Sequence, residues 1–316
     1  MPDVSVAVCT YNRASLLPRA LDSLLAQEVN SHQFEIVVVD NNSIDGTHDA
    51  VAHYQAQRSD VQYVVEPQLG IAHARNRALR EATGEYIAFL DDDAWAEPTW
   101  IENLLKPVRT LQPAPACVVG SVLLEWEGGR PNWFPKRYEA LLCAYDMGPS
   151  PRFLDENGYL LTTNVLFHRQ TLLDLGGFRP YLGRKGKRPL GGEDNDVYQR
   201  LIGTGHTIYY QPQARVHHGV PKERQTRRYL IRRVFWDGAS QPLMALSQLS
   251  DRNEQYRPGH EAYMDLRRCG RFSFDVIRNA MLGRFSKAQE AFLQLVQRLG
   301  RLRTHVVLGM GQARYD

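Results

Sequence analysis

The chain has few cysteines, and none of them stand in a CxxC pair. Cys9, Cys117, Cys143 and Cys269 are scattered through 316 residues. That spacing argues against a structural zinc site, and a disulfide framework is out of place in a chain this long. Reduced thiols in a cytoplasmic protein are expected. No apolar run approaches the ~18 residues of a membrane span. The start, MPDVSVAVCTYNR, lacks the basic segment and long apolar stretch of a secretory signal. There is no GxxxxGK(S/T), and no GxGxxG follows the first strand-like run, so the P-loop and dinucleotide fingerprints are excluded. Internal repeats are absent. Excess charge is also scarce: the net value of +3 is too weak to point to nucleic acid. Dense basic charge appears only late in the chain, in PKERQTRRYLIRR (Pro221–Arg233).

What is present is alternation. VSVAVCT (Val4–Thr10), FEIVVVD (Phe34–Asp40), VQYVVE (Val61–Glu66) and GEYIAFLDDD (Gly84–Asp93) read as strands. Between them lie ASLLPRALDSLLAQ (Ala14–Gln27), THDAVAHYQAQ (Thr47–Gln57) and GIAHARNRALREA (Gly70–Ala82), with apolar residues at helical spacing. Such alternation predicts an α/β fold, a mostly parallel sheet flanked by helices. In such sheets ligands bind beyond the carboxyl ends of the strands. Three of the strands end in polar clusters: Thr10 and Asn12, Asp40 to Ser43, and Asp91 to Asp93. The middle of the chain reads as irregular. TIYYQPQARVHHG (Thr207–Gly219) reads as strand, bend, strand, and the chain beyond Gly238 as mostly helical.

Asp91, Asp92 and Asp93 pose the central question. Three adjacent carboxylates at a strand tip repel one another and raise each other's pKa. They are either a solvated acidic turn or a place where a cation sits. Mg²⁺ or Mn²⁺, held by one or two carboxylates with phosphate oxygens as further ligands, neutralises a nucleoside diphosphate and the charge on a leaving diphosphate.

The pieces VAVCTYNR, EIVVVDNNSIDGT, GIAHARNRAL, YIAFLDDDAW and GGFRPYLGRKGKRPLGGEDNDVYQRL occur in that order over roughly residues 4 to 220. Together they resemble the family 2 glycosyltransferases, whose fold is GT-A. The resemblance implies a Rossmann-like catalytic domain over 1–237, with a nucleotide-sugar half (1–110) and an acceptor half (111–237), followed by a helical extension (238–316). It also implies inverting transfer from a nucleotide-sugar, with UDP as the nucleotide, to a saccharide or lipid-linked acceptor. Thr10, Asn12, Arg13, Asp40 and Asn42 then meet base and ribose, and Arg75 and Asn76 lie beside the donor. Asp91 to Asp93 match the DxD motif, with Asp93 the metal ligand and Asp92 a ribose or metal contact. Each has a plainer alternative: Asp40 closes an Asx-rich turn, Asn12 and Arg13 cap a helix, and Arg75 lies on a helix surface. A calcium loop counted from Asp40 is opposed by Ile44 at a ligand position.

Transfer to a hydroxyl needs one base. GGEDND places Glu193 and Asp194 at a helix start, where the dipole favours negative charge and where they could simply cap. The resemblance makes Asp194 the base, with Glu193 orienting it or the acceptor. It also makes His218, with His217 as the alternate, a metal ligand. The Q/RxxRW motif of processive members is broken, since RRVFWDG carries Phe235 where the second Arg would stand. A catalytically inactive nucleotide- or carbohydrate-binding protein on the same fold is the alternative, opposed by the joint presence of DDD and ED. In the C-terminal helix Phe285, Ala288, Phe292, Leu295, Val296, Leu299 and Leu302 recur at helical spacing beside Lys287, Arg298, Arg301 and Arg303. That stripe suits peripheral contact with the inner face of an anionic membrane, a homodimer, or packing onto the catalytic domain.

Overall fold

Runs of Val, Ile and Ala too apolar for solvent form the strands. The computed structural model describes residues 2–29, 34–186, 189–251 and 254–310; Lys187 and Arg188 of the long motif lie outside them. In chain order the strands and helices are β1 (Val4–Thr10), α1 (Leu17–Leu25), β2 (Phe34–Asp40), α2 (Thr47–Gln55), β3 (Val61–Val65), α3 (Ile71–Glu81), β4 (Tyr86–Asp91), β5 (Ala94–Ala96) and α4 (Trp100–Thr110). There follow β6 (Cys117–Trp126), β7 (Arg152–Phe153), β8 (Asn164–His168), α5 (Arg169–Asp174), α6 (Glu193–Gly203), β9 (Ile208–Val220), α7 (Arg227–Asp251), α8 (Pro258–Met281) and α9 (Phe285–Gly309).

The chain divides into two units. The first comprises residues 1–180 and 197–221, and holds all nine described strands. The sheet order is β3-β2-β1-β4-β8-β6-β9-β5, with β7 beside β9. The first four strands are parallel, and β8 enters antiparallel between β4 and β6. Alternate residues point to opposite faces. Val6, Val8, Ile36, Val38 and Leu90 therefore pack under α1, α2 and α4, while Ala7, Val37, Val39, Ile87 and Phe89 pack under α3. Asn164 stitches the centre: its Oδ1 accepts from Trp100 Nε1 at 2.8 Å, and its Nδ2 donates to the carbonyls of Ser121 and Ala214. The predicted strand–bend–strand is one strand, β9. Pro212, which cannot donate to a ladder, sits where the β6–β9 register jumps from Gln211 to Arg215.

The second unit comprises residues 181–196 and 222–316. In it the basic stretch forms a short 3₁₀ turn (Lys222–Gln225) and then the start of the long helix α7. Helices α7 and α9 touch through two glycines. A Cβ on Gly300 would lie 2.0 Å from the Phe235 carbonyl, and one on Gly238 2.0 Å from that of Gln297. Buried Asp265 on α8 accepts from Arg298 and Arg301 at 2.9 and 2.8 Å, with His305 Nε2 at 3.1 Å. The predicted α9 stripe is split. Ala288 and Val296 are buried inside the unit, while Phe285, Phe292 and Leu299 are exposed. A second apolar row, Tyr263, Leu266, Phe274, Ile277 and Met281, is exposed along α8. Among the described residues, no helix is long and apolar enough to cross a membrane.

Candidate active site

Parallel pairing sets Thr10 opposite Asp40 and Cys9 opposite Asp91. The carboxyl ends of β1, β2 and β4 therefore form one edge. The loops there are tied to one another. Asn12, with φ of 51°, accepts from the Ile44 amide at 2.8 Å, and its own amide donates to Ser43 Oγ at 2.8 Å. Asn12 thus caps the neighbouring loop, not the following helix. Asp40 is buried and accepts from the Ser43 amide at 2.8 Å and from Tyr63 Oη at 2.5 Å. It shapes the turn that presents exposed Asn42, itself left-handed at φ 65°.

The acidic triplet is not a solvated turn. Asp92 is 4% exposed, and Arg13 Nη1 lies 2.5 Å from Asp92 Oδ1 and 3.1 Å from Asp93 Oδ2. Burial pushes the Asp92 carboxyl up to about 6; Arg13 pulls the other way, and Asp93 and Asp91 add to the rise. Burial opposes the charge on Arg13 too, but Asp92 and Asp93 make it hold its proton more tightly. Arg75 is buried inside α3, with its guanidinium over the Phe178 ring and 3.7 Å from Asp91 Oδ1, so it is not a surface helix residue.

His218, on β9, brings the distant part of the chain to this edge. It is 2% exposed, and its Nε2 stands 3.2 Å from Asp93 Oδ1. Burial works against its charged form, yet Cys143 and Asp93 beside it raise its pKa to about 10. Its Nδ1 is buried and meets no partner in good hydrogen-bond geometry. Adjacent ligands of an octahedral ion with bonds of about 2.1 Å lie about 3 Å apart, which is the Asp93–His218 spacing. His218 Nε2 and Asp93 Oδ1 are a nitrogen and an oxygen donor at a spacing that a divalent cation could bridge, the ion taking the neutral imidazole as a ligand. His217 points to the opposite face of the strand, stacked on Trp95 and 2.9 Å from Glu125 and 3.4 Å from Glu97. The alternate metal ligand is therefore set aside.

Asn76 does something other than expected. Its amide Nδ2 donates to the Phe178 carbonyl at 2.7 Å, and its Oδ1 accepts from the Phe178 amide at 2.8 Å. Both ends are used to pin the turn after α5, so a donor contact through this side chain is not supported. In the second unit, Glu193 and Asp194 open α6; Glu193 is buried and Asp194 half-buried. Gly192 before them has φ of 103°, and a Cβ there would lie 2.3 Å from Met244 Sδ. The positive φ is what calls for glycine there. Asp196 receives the Ser247 hydroxyl at 2.5 Å, which anchors the start of the helix to α7.

Two residues were not singled out by the sequence. Thr163 Oγ1 donates to Asp91 Oδ2. Cys143, Asp91 and His218 place one potential ligand atom each within 4.8 Å of one another. Neither Thr163 nor Cys143 belongs to a motif, and only the antiparallel entry of β8 and the turn before Tyr145 bring them here.

Comparison with known proteins agrees with this architecture. Residues 5–173, more than half of the chain, match the family described as Glycosyl transferase family 2. The glucosyl-dolichyl phosphate glucuronosyltransferase of Haloferax volcanii is 31% identical over 262 residues, 80% of this chain and 81% of its own. The succinoglycan biosynthesis protein ExoM of Rhizobium meliloti is 31% identical over 239 residues, 74% of this chain and 72% of its own. A mannosyltransferase from Pyrobaculum calidifontis, solved with GDP-Man and Mn²⁺, matches with a TM-score of 0.56 at 25% identity, over 100% of this chain and 76% of that one.

Proposed function

Because the chain belongs to the family 2 glycosyltransferases, with a GT-A fold, we propose that it transfers a sugar from a UDP-sugar to a hydroxyl of a saccharide or lipid-linked acceptor, with inversion and with Mn²⁺ or Mg²⁺. The observation that carries this reading is the convergence of Asp91, Asp92 and Asp93 with buried His218 at the carboxyl edge of the parallel strands. Asp93 and His218 would hold the ion. A bound divalent ion offsets the charge of the departing diphosphate.

The chain's own residues do the rest. Thr10, Asp40 and Asn42 form the rim for base and ribose, with Asn12 and Tyr63 fixing its shape. Arg13 bridges Asp92 and Asp93, and Arg75 stands beside Asp91, so the guanidiniums position the carboxylates. Asp194, in the first turn of α6, takes the acceptor proton. Glu193 orients it. The lipid-linked choice draws on the Haloferax relative, whose name specifies a dolichyl phosphate substrate. Turnover of a panel of UDP- and GDP-sugars with Mn²⁺ tests the reading. Release of UDP from one UDP-sugar supports it; release of GDP alone, or of nothing, overturns the nucleotide assignment.

A lipid-linked acceptor is reached at a membrane surface, and the second unit offers a face for it. The exposed row Tyr263, Leu266, Phe274, Ile277 and Met281 runs beside Arg267, Arg271 and Arg278. Arg228 and Arg232 rim an apolar groove of about 550 Å³ floored by Ile231, Phe235, Val296 and Leu299. An apolar face with basic neighbours suits an anionic bilayer. The protein is accordingly read as cytoplasmic and peripheral at the inner face of the membrane.

A further inference from the structure

Cys143 occupies a place that packing alone does not explain. It ends the 3₁₀ turn Lys136–Leu142 with φ of 71°, a backbone region that residues other than glycine rarely adopt. The chain on either side is fixed. The Cys143 amide donates to the Ala140 carbonyl at 3.0 Å, and Tyr145 exchanges hydrogen bonds of 2.7 and 3.0 Å with Val122 on β6. The side chain so placed is half-buried and not in a disulfide. One atom each from Cys143, Asp91 and His218 lie within 4.8 Å of one another.

A second observation comes from His218. The ring is 2% exposed and its Nδ1 meets no partner in good hydrogen-bond geometry, although buried polar atoms nearly always do, while the Cys143 sulfur and Asp93 both act on the ring. Asp91 is meanwhile held from behind by Thr163 and Arg75, as a positioned ligand would be. Sulfur, imidazole nitrogen and carboxylate oxygen are together a donor set for a borderline-soft divalent ion. Mg²⁺, which demands oxygen ligands, is poorly served by it.

We propose that Cys143 Sγ is a further direct ligand of the divalent ion held by Asp93 and His218, with Asp91 beside it, and that it biases the site toward thiophilic metals and away from Mg²⁺. This rests on the metal-dependent reading above. As the metal–sulfur bond forms, the thiol proton leaves to solvent; no oxidation is involved. The alternative is a thiol that merely fills space beside the imidazole.

Co²⁺ is the probe that separates the two. The full chain, with UDP present and a thiol-free reductant, is titrated with Co²⁺ and followed by absorption. The expected result is a near-ultraviolet sulfur-to-cobalt charge-transfer band together with weak visible ligand-field bands. In Cys143→Ser the charge-transfer band disappears while Co²⁺ still binds. The preference for Cd²⁺ over Mg²⁺ falls by about tenfold or more. Cys143→Gly suits the positive φ, so it provides a folded variant even if Ser is not tolerated, and it should behave the same way. Co²⁺ binding with no charge-transfer band, or a band that persists in both variants, overturns the proposal while leaving metal dependence intact. Absence of any Co²⁺ or Mn²⁺ binding overturns both.

Discussion

Thr163 Oγ1 donates to Asp91 Oδ2 at 2.5 Å, across the junction of the parallel strand β4 and its antiparallel neighbour β8. With Arg75 at 3.7 Å on the other oxygen, Asp91 is held from two sides. Thr163→Val keeps the branched shape and removes the bond. Mn²⁺-dependent UDP binding is expected to weaken by about tenfold, the scale of losses when a group behind a ligand is removed. Calorimetry measures it, with circular dichroism confirming the fold; unchanged affinity would make the bond structural only.

Asp194→Asn is expected to bind UDP normally and to lose transfer by about 10²–10⁴-fold, since the amide keeps the shape but cannot accept the acceptor's proton. Single-turnover transfer and UDP affinity, measured on the same preparation, separate the two effects. Near-normal transfer would move the base to Glu193.

Much of the carboxyl edge of the parallel strands was legible in the sequence because it rests on local patterns. Val4–Thr10 and Phe34–Asp40 are too apolar to be anything but buried strands, and each ends in a polar cluster. The less legible parts depend on distant pairing. β6 is set in place by pairing with β8 and β9 from far along the chain, and Pro212 reads as a bend although a register shift accommodates it within β9. Asn76 sits in a motif beside the expected donor site, yet its amide is used on the Phe178 backbone. Cys143 and Thr163 lie far from any motif, and no local signal marks either.

The helical unit carries its own acid sensitivity. Burial favours the neutral form of Asp265, but Arg301 and Arg298 win and hold its pKa below the usual carboxylate range. Burial holds His305 below its ordinary value, against the pull of Asp265. Both folded values lie under the unfolded ones, so the unfolded chain takes up protons first as pH falls. The His305 contribution is complete above about pH 6.5 and the Asp265 contribution above about pH 4, and each is lost as pH falls through the folded value. A thermal midpoint that is flat near pH 7–8 and declines in two stages on acidification is expected. Asp265→Asn should lower the midpoint at pH 7, at a cost on the order of 3 kcal/mol, and flatten the lower stage.

Membrane contact is checked by co-sedimentation with vesicles of neutral lipid or of neutral plus anionic lipid. Binding only to the anionic vesicles is expected, reduced severalfold in Phe274→Glu and weakened by salt. If the chain ignores both vesicle types and light scattering shows a dimer that Phe274→Glu dissolves, the α8 face joins two copies instead.

The most direct test of the account is calorimetry of UDP binding with Mn²⁺ present or with chelator added, on the native chain and on Asp93→Ala and His218→Ala. The account predicts binding that needs Mn²⁺ in the native chain and loss of the Mn²⁺ effect in both variants. Equal affinity with and without the metal, or an undiminished metal effect in the variants, would contradict it.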